Sequence, residues 1–123
     1  MTADERQKAV MKWAVSTFGP VAEMPVERAM RLVEEAIEIC QCYAVDKSAI
    51  VRIVDRVYSR PCGKLHQEIG GVAITLDALA ENAGWSVTTE AEREFDRITS
   101  LPREHFRKKQ TAKAIDGTAG MPS

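Results

Sequence analysis

Residues 25–45 read PVERAMRLVEEAIEICQCYAV, a run without a glycine and without a proline after Pro25. Ala29, Val33, Ala36, Ile37, Cys40 and Ala44 recur at spacings of three and four, the apolar stripe of a helix that buries one face. Pro25 stands where a first helical position tolerates it, because that N–H has no partner in any case. A second run, LHQEIGGVAITLDALAENA at residues 65–83, repeats the pattern. Leu65, Ile69, Val72, Ala73, Leu76, Leu79, Ala80 and Ala83 share a face, and Gly84 suits the C-terminal cap. These two long stretches are expected to form the centre of an all-α bundle.

The shorter pieces fit around them. Residues 3–17 predict a first helix, with Ala9, Val10, Trp13 and Phe18 near helical spacing and Gly19-Pro20 as its stop. Asp46 predicts the N-cap of a helix running to about Arg60, with Ile50, Ile53, Val54 and Val57 toward the core. Arg60-Pro61-Cys62-Gly63 is a turn. Thr88 or Thr89 is expected to cap a helix through EAEREFDRI, and Pro102 to begin a last piece at 102–114. No stretch alternates like a strand. The expectation is one all-α domain, a bundle of four to five helices over residues 1–116, with 117–123, GTAGMPS, as a disordered tail. Broad apolar faces in so short a chain also imply a homodimer.

Composition excludes several classes. The chain has 123 residues, 45% apolar and 28% charged, so a core can form without disulfides or a structural metal. A net charge of −1 offers no strong field to nucleic acid or an anionic membrane. The charge is uneven: Arg103, Arg107, Lys108, Lys109 and Lys113 against Glu104 make residues 103–113 +4. Cys40, Cys42 and Cys62 form no CxxC, which argues against a disulfide framework or a zinc site and for buried, reduced thiols. The charged N-terminus has no signal-peptide core, and no apolar run approaches the ~20 residues of a membrane span. A cytoplasmic location is expected.

The acidic residues carry the chemistry. At 100° per residue, Glu34 and Glu38 lie within about 40° of each other, with Glu35 beside them. Like charges one turn apart repel, and a divalent cation turns that repulsion into binding, because magnesium prefers carboxylate oxygens. Glu68 lies at the edge of the apolar face of residues 65–83, where an antiparallel pairing would bring it to the other glutamates. Glu34-Glu35-Ala36-Ile37-Glu38 followed by Glu68-Ile69-Gly70-Gly71, within RLVEEAIEICQ and EIGGVAITLDALAENAG, resembles the EExxE and ExxD helices of the MazG-like nucleotide pyrophosphohydrolases. The likeness covers about residues 28–84.

That resemblance implies hydrolysis of a nucleoside triphosphate to monophosphate and pyrophosphate. Mg2+ would be held by Glu34, Glu35, Glu38 and Glu68, with Glu35 or Glu38 as general base. One departure matters: the final aspartate of ExxD falls at Gly71. Asp77 is on the opposite face of the same helix, Thr75 is a neutral and weaker ligand, and Asp55 could swing in or pair with Arg52 or Arg56. Gly70 and Gly71 each cost about 1 kcal/mol in a helix relative to alanine, for which close helix packing and room for a ligand are both explanations. Phosphates need cations, for which Arg60, Lys64 and the 103–113 cluster are candidates, although that cluster also fits a solvated face. Trp13 could stack on a nucleobase or simply fill the core. His66 and His105 lack partners at ligand spacing. The alternatives to a hydrolase are a catalytically silent relative that binds nucleotide or a protein partner, and a purely structural helical dimer.

Overall fold

The computed structural model describes all 123 residues, as six α-helices, one 3₁₀ turn and no strand. In chain order these are α1 (Ala3–Phe18), the 3₁₀ turn Gly19–Glu23, α2 (Pro25–Cys42), α3 (Lys47–Tyr58), α4 (Leu65–Ala83), α5 (Val87–Ser100) and α6 (Arg103–Ile115). The ends follow local chemistry. Thr2 and Glu5 make a reciprocal capping box at α1, with Glu5 N–H donating to Thr2 Oγ1 at 3.1 Å and Thr2 N–H to Glu5 Oε1 at 2.9 Å. Asp46 caps α3 as expected, accepting from Ala49 N–H at 2.8 Å. Gly84 ends α4 at φ +80°, where a side chain would strain the backbone. α5 starts earlier than expected, because Ser86, and neither Thr88 nor Thr89, accepts from the Thr89 N–H.

The chain divides into two units, Met1–Ala44 with Phe95–Ser123, and Val45–Glu94. In the first, α1 packs on α6 and on the 3₁₀ turn, which also packs on α2. Trp13 meets Phe18 and Phe106 edge to face, at ring separations of 5.7 and 5.1 Å. Ala14, Thr17 and Ala22 are buried beside them. Residues 117–123, expected to be disordered, are held instead. Gly120 N–H donates to Glu27 Oε2 at 2.8 Å, Ser123 N–H to the Phe18 carbonyl at 3.1 Å, and Arg107 Nη1 to the carbonyls of Thr17 and Ser123. Long-range polar contacts fix this segment, and its own residues give no local sign of them.

The second unit contains α3, α4 and the start of α5, and no side chain within it is buried. Its apolar stripes form as helices but stay open: Ile53 is 57% exposed, Leu65 76% and Ile69 61%. On α2, in the first unit, Val33 and Ile37 are exposed too. The expected core around residues 25–45 and 65–83 is therefore not where the buried apolar residues lie, which is on α1 and the 3₁₀ turn. A stripe specifies the face that favours burial, without specifying what covers it. The expectation of buried thiols also fails: Cys42 and Cys62 are exposed, Cys40 is half-buried, and all three are free. No helix is long and apolar enough to cross a membrane.

Candidate functional site

The acidic face of α2 is built from its first turn upward. Glu27 is 4% exposed, and its carboxylate accepts from Gln110 Nε2 at 2.8 Å as well as from Gly120 N–H. Burial pushes this carboxyl up. The Gln110 amide, the Gly120 N–H and the guanidiniums of Arg31 and Arg28 outweigh it and hold Glu27 below its ordinary value. One turn on, Arg31 lies 3.4 Å from Glu27 and 3.7 Å from Glu34 as an ion pair to each, and donates to the Thr118 carbonyl. Arg28 beside it is lowered by burial, more than the attraction of Glu27 raises it.

Glu34 then receives Lys113 Nζ of α6 at 2.6 Å, a charge-assisted hydrogen bond. The basic segment 103–113 thus brings one of its cations onto the EExxE face within the first unit. Glu35 and Glu38 are exposed on the following turn of α2. Oxygen-only donors suit a hard divalent cation. As arranged, however, no group of three or more His, Cys, Asp or Glu side chains is gathered as a metal cluster. Lys113 holds the carboxylate that would lead such a set.

Glu68 belongs to the second unit, so the four expected ligands are split between the two units. Its carboxylate folds back over Gly63: a Cβ there would stand 2.6 Å from Glu68 Oε1, so the glycine makes room for the acid. Glu68 and Arg60 line a cleft at the α3–α4 turn with Val57, Tyr58, Pro61, Cys62 and Gly63. Lys64 is the exposed N-cap residue of α4. At Gly71 an added Cβ would meet nothing within 4 Å. The Thr75 hydroxyl donates to the Gly71 carbonyl, which engages the side chain suggested as a substitute ligand. Asp55 and Asp77 are exposed. Trp13 lies in the aromatic cluster that joins α1 to α6.

Arg31 lies among the glutamates in the sequence, where a structural ion pair is expected and is found; its partners Glu27 and Gln110 were missed. An i, i+4 Glu–Arg pair was the only local signal, and surface helices are full of such pairs. No family model, no curated protein and no solved structure matches the chain.

Proposed function

We propose that the chain is a MazG-like, magnesium-dependent pyrophosphohydrolase of nucleoside triphosphates. The observation that supports this most is the meeting of the EExxE face with a cation, Lys113 on Glu34 at 2.6 Å. A site for metal and triphosphate needs both signs of charge side by side: carboxylates for the ion, and an ammonium for phosphate oxygens the ion leaves uncovered. Of the ligands that the resemblance implies, Glu34, Glu35 and Glu38 on α2 would hold Mg2+ within the first unit; the chemistry it would supply is to shield the triphosphate and make a bound water more acidic. Lys113 would leave Glu34 for a phosphate oxygen. Glu38 or Glu35, exposed at the end of that face, would accept a proton from the attacking water.

Pyrophosphate release from a panel of ribo- and deoxynucleoside triphosphates, with and without Mg2+, tests this. Metal-dependent turnover that Glu38→Gln abolishes while the helical content stays intact is the expected result. No turnover of any nucleotide removes the reading.

Gly71 favours a second reading, a silent relative that binds nucleotide or a protein partner, since neither it nor the engaged Thr75 hydroxyl supplies the carboxylate. Gly71→Asp separates the two. A large gain in turnover marks a degenerate site, and a loss marks a site shaped around glycine.

A further inference from the structure

Segment 117–123 carries no charged side chain, and Met121, its one large apolar residue, is 56% exposed. Apolar burial therefore does not hold it, and directed hydrogen bonds do. At its start Thr118 closes the end of α6, where its N–H and its hydroxyl both donate to the Lys113 carbonyl, at 2.8 and 3.2 Å. The Thr118 carbonyl accepts from Arg31 Nη2 of α2. In the middle Gly120 is clamped from two sides. Its N–H donates to Glu27 Oε2 at 2.8 Å, and its carbonyl accepts from Gln110 Nε2 at 2.7 Å. At the far end Ser123 N–H donates to the Phe18 carbonyl, and the Ser123 carbonyl accepts from Arg107 Nη1. The fit is close: a Cβ on Gly120 would run into Val21 Cγ2 of the 3₁₀ turn.

What this segment fastens gives it a role. Lys113 and Arg31 are both paired with Glu34, at 2.6 and 3.7 Å. Thr118 holds each of them from its other side, Lys113 by the backbone carbonyl and Arg31 by the guanidinium. Both cations are thereby restrained where they neutralise the first carboxylate of the EExxE face. An incoming divalent cation has to displace an ammonium and a guanidinium whose positions are fixed by a third element. We propose that residues 117–123 are an autoinhibitory latch. Docked, they keep Lys113 and Arg31 on Glu34; undocked, they free both and open the α2 carboxylates to the metal. The consequence for the metal rests on the proposed function, whereas the hold on the two cations does not. A metal that binds only the undocked form opposes the latch, and linkage makes the opposition mutual: each weakens the other by the same factor.

The full chain tests this in two ways. Gly120→Val puts a side chain where Val21 stands, and should make residues 118–123 mobile in backbone NMR relaxation with the helical content unchanged. The Lys113 ammonium, slow to exchange its protons while bonded to Glu34, should then lose its separate NMR signal. Mg2+ affinity measured by calorimetry should rise about tenfold. The second measurement needs no variant: saturating the unaltered chain with Mg2+ should itself free residues 118–123. A freed segment with the Lys113 signal and the Mg2+ affinity both unchanged overturns the latch. So does a segment that stays rigid in Gly120→Val or in the Mg2+-saturated chain. Loss of the Lys113 signal on release, with no Mg2+ bound by either chain, upholds the hold on the cations and removes the metal reading of the α2 face instead.

Discussion

Lys113 and Glu34 each keep about a third of their side chain in water, so their pair contributes only about 0.2–1 kcal/mol to stability. Lys113→Met should therefore move the urea midpoint by less than about 1 kcal/mol equivalent. Under the proposed function it should also tighten Mg2+ binding to the α2 glutamates in calorimetric titration, because the competing ammonium is gone, while weakening nucleotide binding. Unchanged affinities for both would remove Lys113 from the site. Ala44 presents a different residue-scale problem. It sits at φ +55°, the left-handed region that disfavours a Cβ, in the turn from α2 to α3. Ala44→Gly removes that strain at some cost in unfolded-chain entropy, and should stabilise by roughly 0.5–1 kcal/mol in denaturant titration. Among the candidate site residues, the shared face of Glu34, Glu35 and Glu38 was legible in the sequence because helical spacing alone sets it. Lys113 was legible only as one member of a basic run, since what selects it over Lys108 or Lys109 is the packing of the first unit.

α6 and the segment after it act on α2 through one carboxylate. Glu27 is held below its ordinary value, so its stabilising effect is present above the unfolded pKa and is lost as pH falls through the lowered folded one. Acid should accordingly loosen residues 117–123 and α6 from α2 below the usual glutamate range, near 4.5. Glu27→Gln should flatten that acid limb in a pH series of thermal melts. Gln110→Ala leaves the buried carboxylate a donor short and should cost about 1–3 kcal/mol, with the acid limb moved to higher pH. Most helix limits could be read from the sequence because their causes are local: Pro25 starts α2, Asp46 caps α3 and Gly84 ends α4. The 3₁₀ turn Gly19–Glu23 was read only as a stop, and the docked tail as disorder. Their stability comes from partners far away in sequence, such as the bond from Ser123 to Phe18, which no periodic pattern announces.

At the scale of the molecule, the periodicity that marked α3 and α4 found the helices, but the burial expected for their apolar faces does not occur within the second unit. The paired glycines provide a whole-molecule test. In a solvated helix, Gly70→Ala with Gly71→Ala would stabilise by about 1 kcal/mol each. An added Cβ at either position meets nothing within 4 Å, so the unfolding midpoint, measured by circular dichroism at fixed protein concentration, should rise. A raised midpoint would show that both glycines face water. The first unit has a consequence of another kind, because the chain leaves it at Ala44 and returns at Phe95. Glu27 waits for Gln110, 83 residues later, and Thr17 for Arg107, 90 residues later. On a ribosome adding about 5–20 residues per second, α1 and α2 thus spend roughly 5–20 seconds without α6. The open stripes of α3 and α4 emerge during that interval, ahead of the residues that close the first unit. The order of synthesis makes the nascent chain a natural client for chaperones that hold exposed apolar helices, and codon choice across residues 45–106 a lever on its yield.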